Sequence, residues 1–285
     1  MYFNFETILT IATIFSGIIW LVDSLFFAKK RLQRQGYIQA NTGKLHEITM
    51  VYGGIKIPGA VMPKVIEYAR AFFPILLLVL ILRTWFFEPY RIPSGSDKPT
   101  LLIGDLIVVN KHVYGWRWPI SNETIIENKT PKIGDIVIFR FSAVDPSKDL
   151  IKRVVGLPGD QVQYMNKVLY INGVEAKQTG VGEVVDEEGS RKAQMMMKRE
   201  DLLGVSHLIY QRKEAPDQNF SVMVPADHYF VMGDNRDDSY DSRYWGFVSQ
   251  RDLKGKASYI WMSWNGLSEG LQHMVRWSRI GTKIQ

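Results

Sequence analysis

Two apolar runs near the start of the chain restrict its folding more than any other feature. Residues 3–28 are almost wholly apolar or weakly polar, broken only by Glu6 near one end and Asp23 near the other. A helix of that length, rising about 1.5 Å per residue, spans a bilayer. A cleaved leader would carry positive charge before its apolar run, whereas Lys29, Lys30, Arg31 and Arg34 follow this one. Residues 1–28 therefore read as a retained anchor. The second run, AFFPILLLVLILRTWFF at 71–87, is at the short limit for a span and contains Arg83, as a soluble core helix could. Arg83 lies near its end, however, where the stem can carry the guanidinium to the interface beside Trp85.

The segment between the runs, residues 29–70, decides between these readings. It holds Lys29, Lys30, Arg31, Arg34, Lys44, Lys56, Lys64 and Arg70 against Glu47 and Glu67. The positive-inside rule places such a loop in the cytoplasm. Residues 88–285 are then expected as an exported domain, which in a bacterium means the periplasm. The net charge of +6 sits largely in this loop, which argues for a phospholipid surface and against nucleic acid. The absence of cysteine excludes a disulfide scaffold, a thiolate zinc site and a cysteine nucleophile.

Beyond Glu88 the pattern changes to short β-like runs. Residues 103–109 and 133–139 each carry Ile-Gly-Asp feeding a β-branched stretch, and residues 168–174 contain Asn172-Gly173, a strong hairpin signal. Residues 222–224, 228–232 and 257–262 add further strands, and no long amphipathic helix appears. The expected fold is mainly β, an exported catalytic domain of antiparallel sheets preceded by two transmembrane helices. Residues 177–215 are charged and read as an irregular surface insertion, with Met195, Met196 and Met197 packing within it.

Little of the usual metal or hydrolase chemistry fits. His46, His112, His207, His228 and His273 are scattered without ligand spacing. Asp234–Asp241 resembles a calcium loop only faintly, with Arg236 at a ligand position and Ser239 where the turn glycine belongs. No G-x-S-x-G elbow is present, and Ser96 is followed three places on by Pro99 rather than lysine. Three stretches remain: IPSGSDKPTL at 92–101, DLIKRVVGLPGD at 149–160 and GDNRDDSYDSRYWG at 233–246.

In these three stretches, and in their order after two anchors, the chain resembles the bacterial type I signal peptidases along nearly its whole length. The resemblance implies a membrane-bound serine endopeptidase of the inner membrane, with its β-rich domain on the periplasmic side and no cofactor. It implies substrates that are exported preproteins with small residues before the cleavage site, and a possible association with the export machinery. It makes Ser96 the nucleophile, Lys152 the general base, and Ser94 with the Ser96 N–H the oxyanion hole. Ser239 is expected to bond the lysine, Asp241 and Arg243 to form a supporting pair, and Ile92, Pro93, Asp97, Leu101, Leu150 and Ile151 to line the substrate pockets.

The chemistry of a Ser–Lys dyad requires a neutral amine. At a reference pKa near 10.4 roughly one lysine in two thousand is neutral at pH 7, and burial can lower that value by about 3–5 units. Strand alternation puts Lys152 on a face with Leu150 and Val154, a plausible apolar shelter. The family pattern places methionine directly after the nucleophile, and this chain has Asp97. A carboxylate there is costly to bury and, near Lys152, favours the ammonium. Turned to water or paired with Lys98 it does little. Asp97 thus keeps open a second reading, a weakened relative that only binds exported peptides. Trp116, Trp118, Trp261, Trp264 and Trp277 are either membrane-facing or core residues.

Overall fold

The computed structural model describes residues 5–30, 49–52, 55–58, 63–117, 124–188, 191–266 and 274–285. Arg31, Arg34, Lys44, His46, Glu47, Trp118 and His273, singled out above, lie outside the described residues. The chain divides into two compact units, residues 1–83 and 84–285.

In the first unit, helix α1 (Phe5–Val22) continues through a wider π turn, Asp23–Phe27. A hairpin follows, β1 (Thr49–Tyr52) and β2 (Ile55–Pro58), and then helix α2 (Lys64–Ile81). The stretches Thr7–Lys30 and Lys64–Thr84 are each long and apolar enough to cross a membrane. The second helix thus begins upstream of the apolar run at 71. The two helices touch where Gly17 faces the Phe73 ring, which also lies 5.4 Å from the ring of Trp20. Ile11, Phe15, Ile18 and Leu25 of the first helical stretch, and Phe72, Ile75 and Leu78 of the second, are exposed. Contiguous apolar surface of this kind suits lipid better than water.

The second unit opens with β3 (Phe87–Arg91), β4 (Asp105–Asn110), β5 (Trp116–Arg117), β6 (Thr124–Ile126), β7 (Ile136–Arg140) and β8 (Asp149–Gly156). It continues with β9 (Gln161–Met165), β10 (Val168–Ile171), β11 (Val174–Glu175), β12 (Lys177–Glu188), β13 (Arg191–Leu202) and β14 (Val205–Gln211). It closes with β15 (Phe220–Met223), β16 (His228–Met232), β17 (Val248–Ser249) and β18 (Leu253–Ser263). A seven-stranded antiparallel sheet runs β17-β16-β8-β7-β18-β4-β3, beside a four-stranded sheet β11-β10-β9-β15.

The sequence explains why the large sheet is covered on both faces. Along β7, Ile136 and Ile138 pack with Ile92, Leu101, Ile107 and Ile260, while Val137 and Phe139 pack with Val154, Tyr229, Val231 and Leu253. A continuous apolar run is what a strand buried on two sides requires. Each such Val, Ile or Phe contributes about 1.5–3 kcal/mol by leaving water. The two Ile-Gly-Asp copies share one device. Asp105 Oδ2 accepts the Leu102 N–H at 2.8 Å, and Asp135 Oδ2 accepts the Lys132 N–H at 3.1 Å, so each aspartate closes the turn before its strand. At the β10–β11 turn, Asn172 and Gly173 have φ of 51° and 79°, the paired left-handed geometry that an Asn-Gly hairpin turn needs.

Residues 177–215 depart from expectation. Instead of an irregular stretch, Lys177–Glu188, Arg191–Leu202 and Val205–Gln211 form a third sheet, β12-β13-β14, with twelve-residue strands β12 and β13. Met195 is buried within it, while Met196 and Met197 are half-buried.

Candidate active site

The site forms where β8 passes beneath the loop joining β3 to β4. Strand β8 lies between β16 and β7, and its residues from Lys152 to Gly156 are buried. The Lys152 side chain is 4% exposed, and its Nζ donates to Ser96 Oγ at 2.5 Å and to the Ile151 carbonyl at 2.8 Å. Two residues far apart in sequence, 96 and 152, therefore meet.

The loop carrying Ser96 is held from both sides. At its base the Ile92 N–H donates to the Asp105 carbonyl at 2.8 Å, and the Gly104 N–H to the Ile92 carbonyl at 2.9 Å. Across the site the Asn235 N–H donates to the Ser96 carbonyl at 3.0 Å, and Asn235 Nδ2 to the Gly95 carbonyl at 3.1 Å. This approach depends on Gly233, where any side chain would run into the Ser96 carbonyl and the Ser239 hydroxyl.

Asp97 turns inward. It is 1% exposed, its Oδ2 lies 3.5 Å from Lys152 Nζ, and the same oxygen accepts from Ser96 Oγ at 3.3 Å. Its Oδ1 is buried without a hydrogen-bond partner among the described residues. Burial pushes this carboxyl up from its ordinary 3.8 to about 6, even though the Lys152 charge pulls the other way. The alternatives of solvent exposure or a Lys98 pair are ruled out by the geometry, because Lys98 Nζ pairs instead with Asp186 of β12 at 2.8 Å.

A network of buried charges surrounds the dyad. Arg153, fully buried, grips Asp234 through two contacts of 2.7 Å and donates to the Gly134 carbonyl at 2.7 Å. Thr100 of the serine loop donates to the same carboxylate. Burial alone would raise the Asp234 carboxyl, but Arg153, His207 and Thr100 together outweigh it and hold it below the ordinary range. Arg236 forms a two-armed pair with Glu200 of β13, and His207 Nε2 of β14 lies 3.4 Å from Glu200 and 3.7 Å from Asp234. For Glu200, too, burial is outweighed, here by Arg236 and His207, and its carboxyl is held far below the usual value. Sequence reasoning missed the roles of Arg153, Asp234, Glu200 and His207. Arg153 and Asp234 lay inside the singled-out stretches, but nothing in their spacing pairs them.

The remaining expected residues fall into place unevenly. Asp241 and Arg243 do form a two-armed pair at 2.8 Å and 2.8 Å, and Asp241 Oδ2 also accepts the Gly233 N–H at 3.0 Å. Ser239 does not bond Lys152 as expected. Its hydroxyl is buried against Gly233 with no partner among the described residues. Ser94 and Pro93 are exposed on the serine loop, and Leu150 and Ile151 are half-buried. Ile92 and Leu101 are fully buried in the core beneath the site rather than lining an open surface. Trp261 and Trp277 are exposed, whereas Trp116 and Trp264 are half-buried. Among the described residues no group of three or more His, Asp or Glu is placed to hold a metal ion.

Comparison with known proteins identifies the family. Residues 65–264 match the family described as signal peptidase, peptidase S26. A signal peptidase I of Pseudomonas fluorescens is 40% identical over 305 residues, covering 99% of each chain. That of Pseudomonas aeruginosa is 39% identical over 303 residues, again covering 99% of each. A crystal structure of a signal peptidase I from Enterococcus faecalis, 32% identical, covers 46% of this chain and 98% of its own, with a TM-score of 0.31. The sequence matches run the length of both partners, and on them the chain belongs to the signal peptidase I family, the serine endopeptidases of peptidase family S26.

Proposed function

We propose that this chain removes signal peptides from exported preproteins with a Ser96–Lys152 dyad, working from the periplasmic face of the bacterial inner membrane. Lys152, once neutral, takes the Ser96 proton as Oγ attacks the scissile carbonyl. The oxyanion rests on the Ser96 N–H and the Ser94 hydroxyl, which must turn towards it. Lys152 then returns the proton to the leaving amine, and water activated by the same amine hydrolyses the acyl-enzyme. Pro93, Leu150 and Ile151 line the shallow apolar floor that admits small side chains and excludes large ones by steric bulk, and the buried Ile92 and Leu101 support it from beneath. Asp241 and Arg243 brace the loop after Gly233, and the two apolar helices anchor the peptidase unit where preproteins emerge from the export machinery.

The observation that carries this reading is the 2.5 Å approach of Lys152 Nζ to Ser96 Oγ in a site where the lysine is 4% exposed. The two atoms stand within the reach that direct proton transfer requires. The test is cleavage of a purified preprotein by the full chain in detergent. Ser96→Ala and Lys152→Ala should each abolish product while leaving the circular dichroism of the β-rich unit unchanged. Full processing by Lys152→Ala would reject the mechanism. The buried Asp97 favours a second reading, a weakened relative that binds preproteins without cutting them. In the same assay that protein would yield a complex and no product.

A further inference from the structure

Three oxygens surround Lys152 Nζ: Ser96 Oγ at 2.5 Å, the Ile151 carbonyl at 2.8 Å and Asp97 Oδ2 at 3.5 Å. Two of these oxygens accept N–H bonds and the third, a carboxylate, stands at ion-pair distance, a set that suits an ammonium with its three donors. Ser96 Oγ in turn lies 3.3 Å from Asp97 Oδ2, to which its hydroxyl donates. Lysine, serine and aspartate close a ring of contacts around the reacting atoms.

We propose that Asp97 is a positioning residue which pins the Lys152 ammonium and the Ser96 hydroxyl together in the resting site and sets the pH at which the amine is released to act as base. The inference rests on the dyad reading above. Losing a proton from Lys152 also loses its attraction to the Asp97 carboxylate, so the free amine appears only at a more alkaline pH than it would beside a neutral residue. The charged groups facing Asp97 are Lys152 and Arg153 of β8 and Asp234 of the loop after β16. On its own loop, Lys98 is turned onto Asp186. Lys152 is the near cation, because Arg153 is engaged by Asp234. At neutral pH the Asp97 carboxyl, with its midpoint raised to about 6, is chiefly the anion, so the pin is in place where the enzyme would work.

The function differs from that of a side chain lining an apolar pocket. A pocket residue changes which substrates bind. A charge beside the base moves the acid limb of the rate profile for every substrate.

The test follows the amine itself as well as activity. Full-length protein in detergent, labelled at the lysine ε-carbon, is titrated by NMR, with the Lys152 signal assigned by its loss in Lys152→Met. In Asp97→Asn the signal should titrate about 1–3 pH units lower than in the natural chain, the range expected for removing an adjacent opposite charge. The acid limb of kcat/KM for preprotein cleavage should move the same way. Asp97→Met, a second neutral replacement, should reproduce both shifts even where Asn perturbs folding. Coincident titrations of the natural chain and both variants would overturn the proposal. So would loss of cleavage at every pH in the variants with the lysine signal unmoved, since Asp97 would then itself be acting as the base. A shifted titration with no cleavage by any form would uphold the pairing and refute the dyad function instead.

Discussion

Ser239 holds a buried hydroxyl with no hydrogen-bond partner among the described residues, packed against Gly233. A buried group left in that state costs about 1–3 kcal/mol. Such a group in a native structure calls for an explanation, and a catalytic role is one. Ser239→Ala is therefore expected to leave the fold as stable as before, or about 1 kcal/mol more so, while cleavage falls about tenfold. Denaturant midpoints and kcat on one preparation separate the two effects, and unchanged kcat would leave Ser239 no part in the chemistry. At this scale the sequence displays residue types but not rotamers. Ser96 and Lys152 could be read because their motifs are separate and each is unusual. The inward turn of Asp97 could not, because the same side chain one residue from the serine is sterically free to face water or Lys98. Lys98 is taken by Asp186, 88 residues away, a partner that the local sequence does not show.

At the scale of elements, strands with an apolar inner face were readable and those with a charged one were not. β16 occupies residues 228–232, as its sequence suggests, and its inner residues Tyr229, Phe230, Val231 and Met232 are all buried. β13 and β14 carry Glu200, His207 and Gln211 on buried positions instead, so the period-two apolar signal is missing and the segment looks like solvated loop. What replaces the apolar signal is charge neutralised across elements, chiefly Glu200 of β13 against Arg236 after β16. Both side chains are essentially unexposed. Glu200→Gln leaves the guanidinium buried beside a neutral amide, a change that typically costs about 3–5 kcal/mol. Urea unfolding of the full chain should show that loss. A change below about 1 kcal/mol would mean that the third sheet is an appendage and not part of the support for the serine loop.

Across the whole molecule the buried carboxyls pull stability in opposite directions as pH changes. Asp97 is raised to about 6, so its ionised form burdens the fold above that pH and the burden lifts as the solution is acidified towards its unfolded value of 3.8. Glu200 and Asp234 are held below their ordinary values, so the stability they supply is complete above about pH 4.5 and is lost as they protonate below it. The two signs leave a window between them. Thermal unfolding of the full chain in detergent should show greatest stability near pH 5, declining gently towards neutrality and steeply below pH 4. Asp97→Asn should remove the decline between pH 5 and 7 and leave the acid collapse untouched, because the collapse belongs to the pairs with Arg153 and Arg236. Identical profiles for the two proteins between pH 5 and 7 would mean that the Asp97 carboxylate is not carried as a buried charge in the folded enzyme.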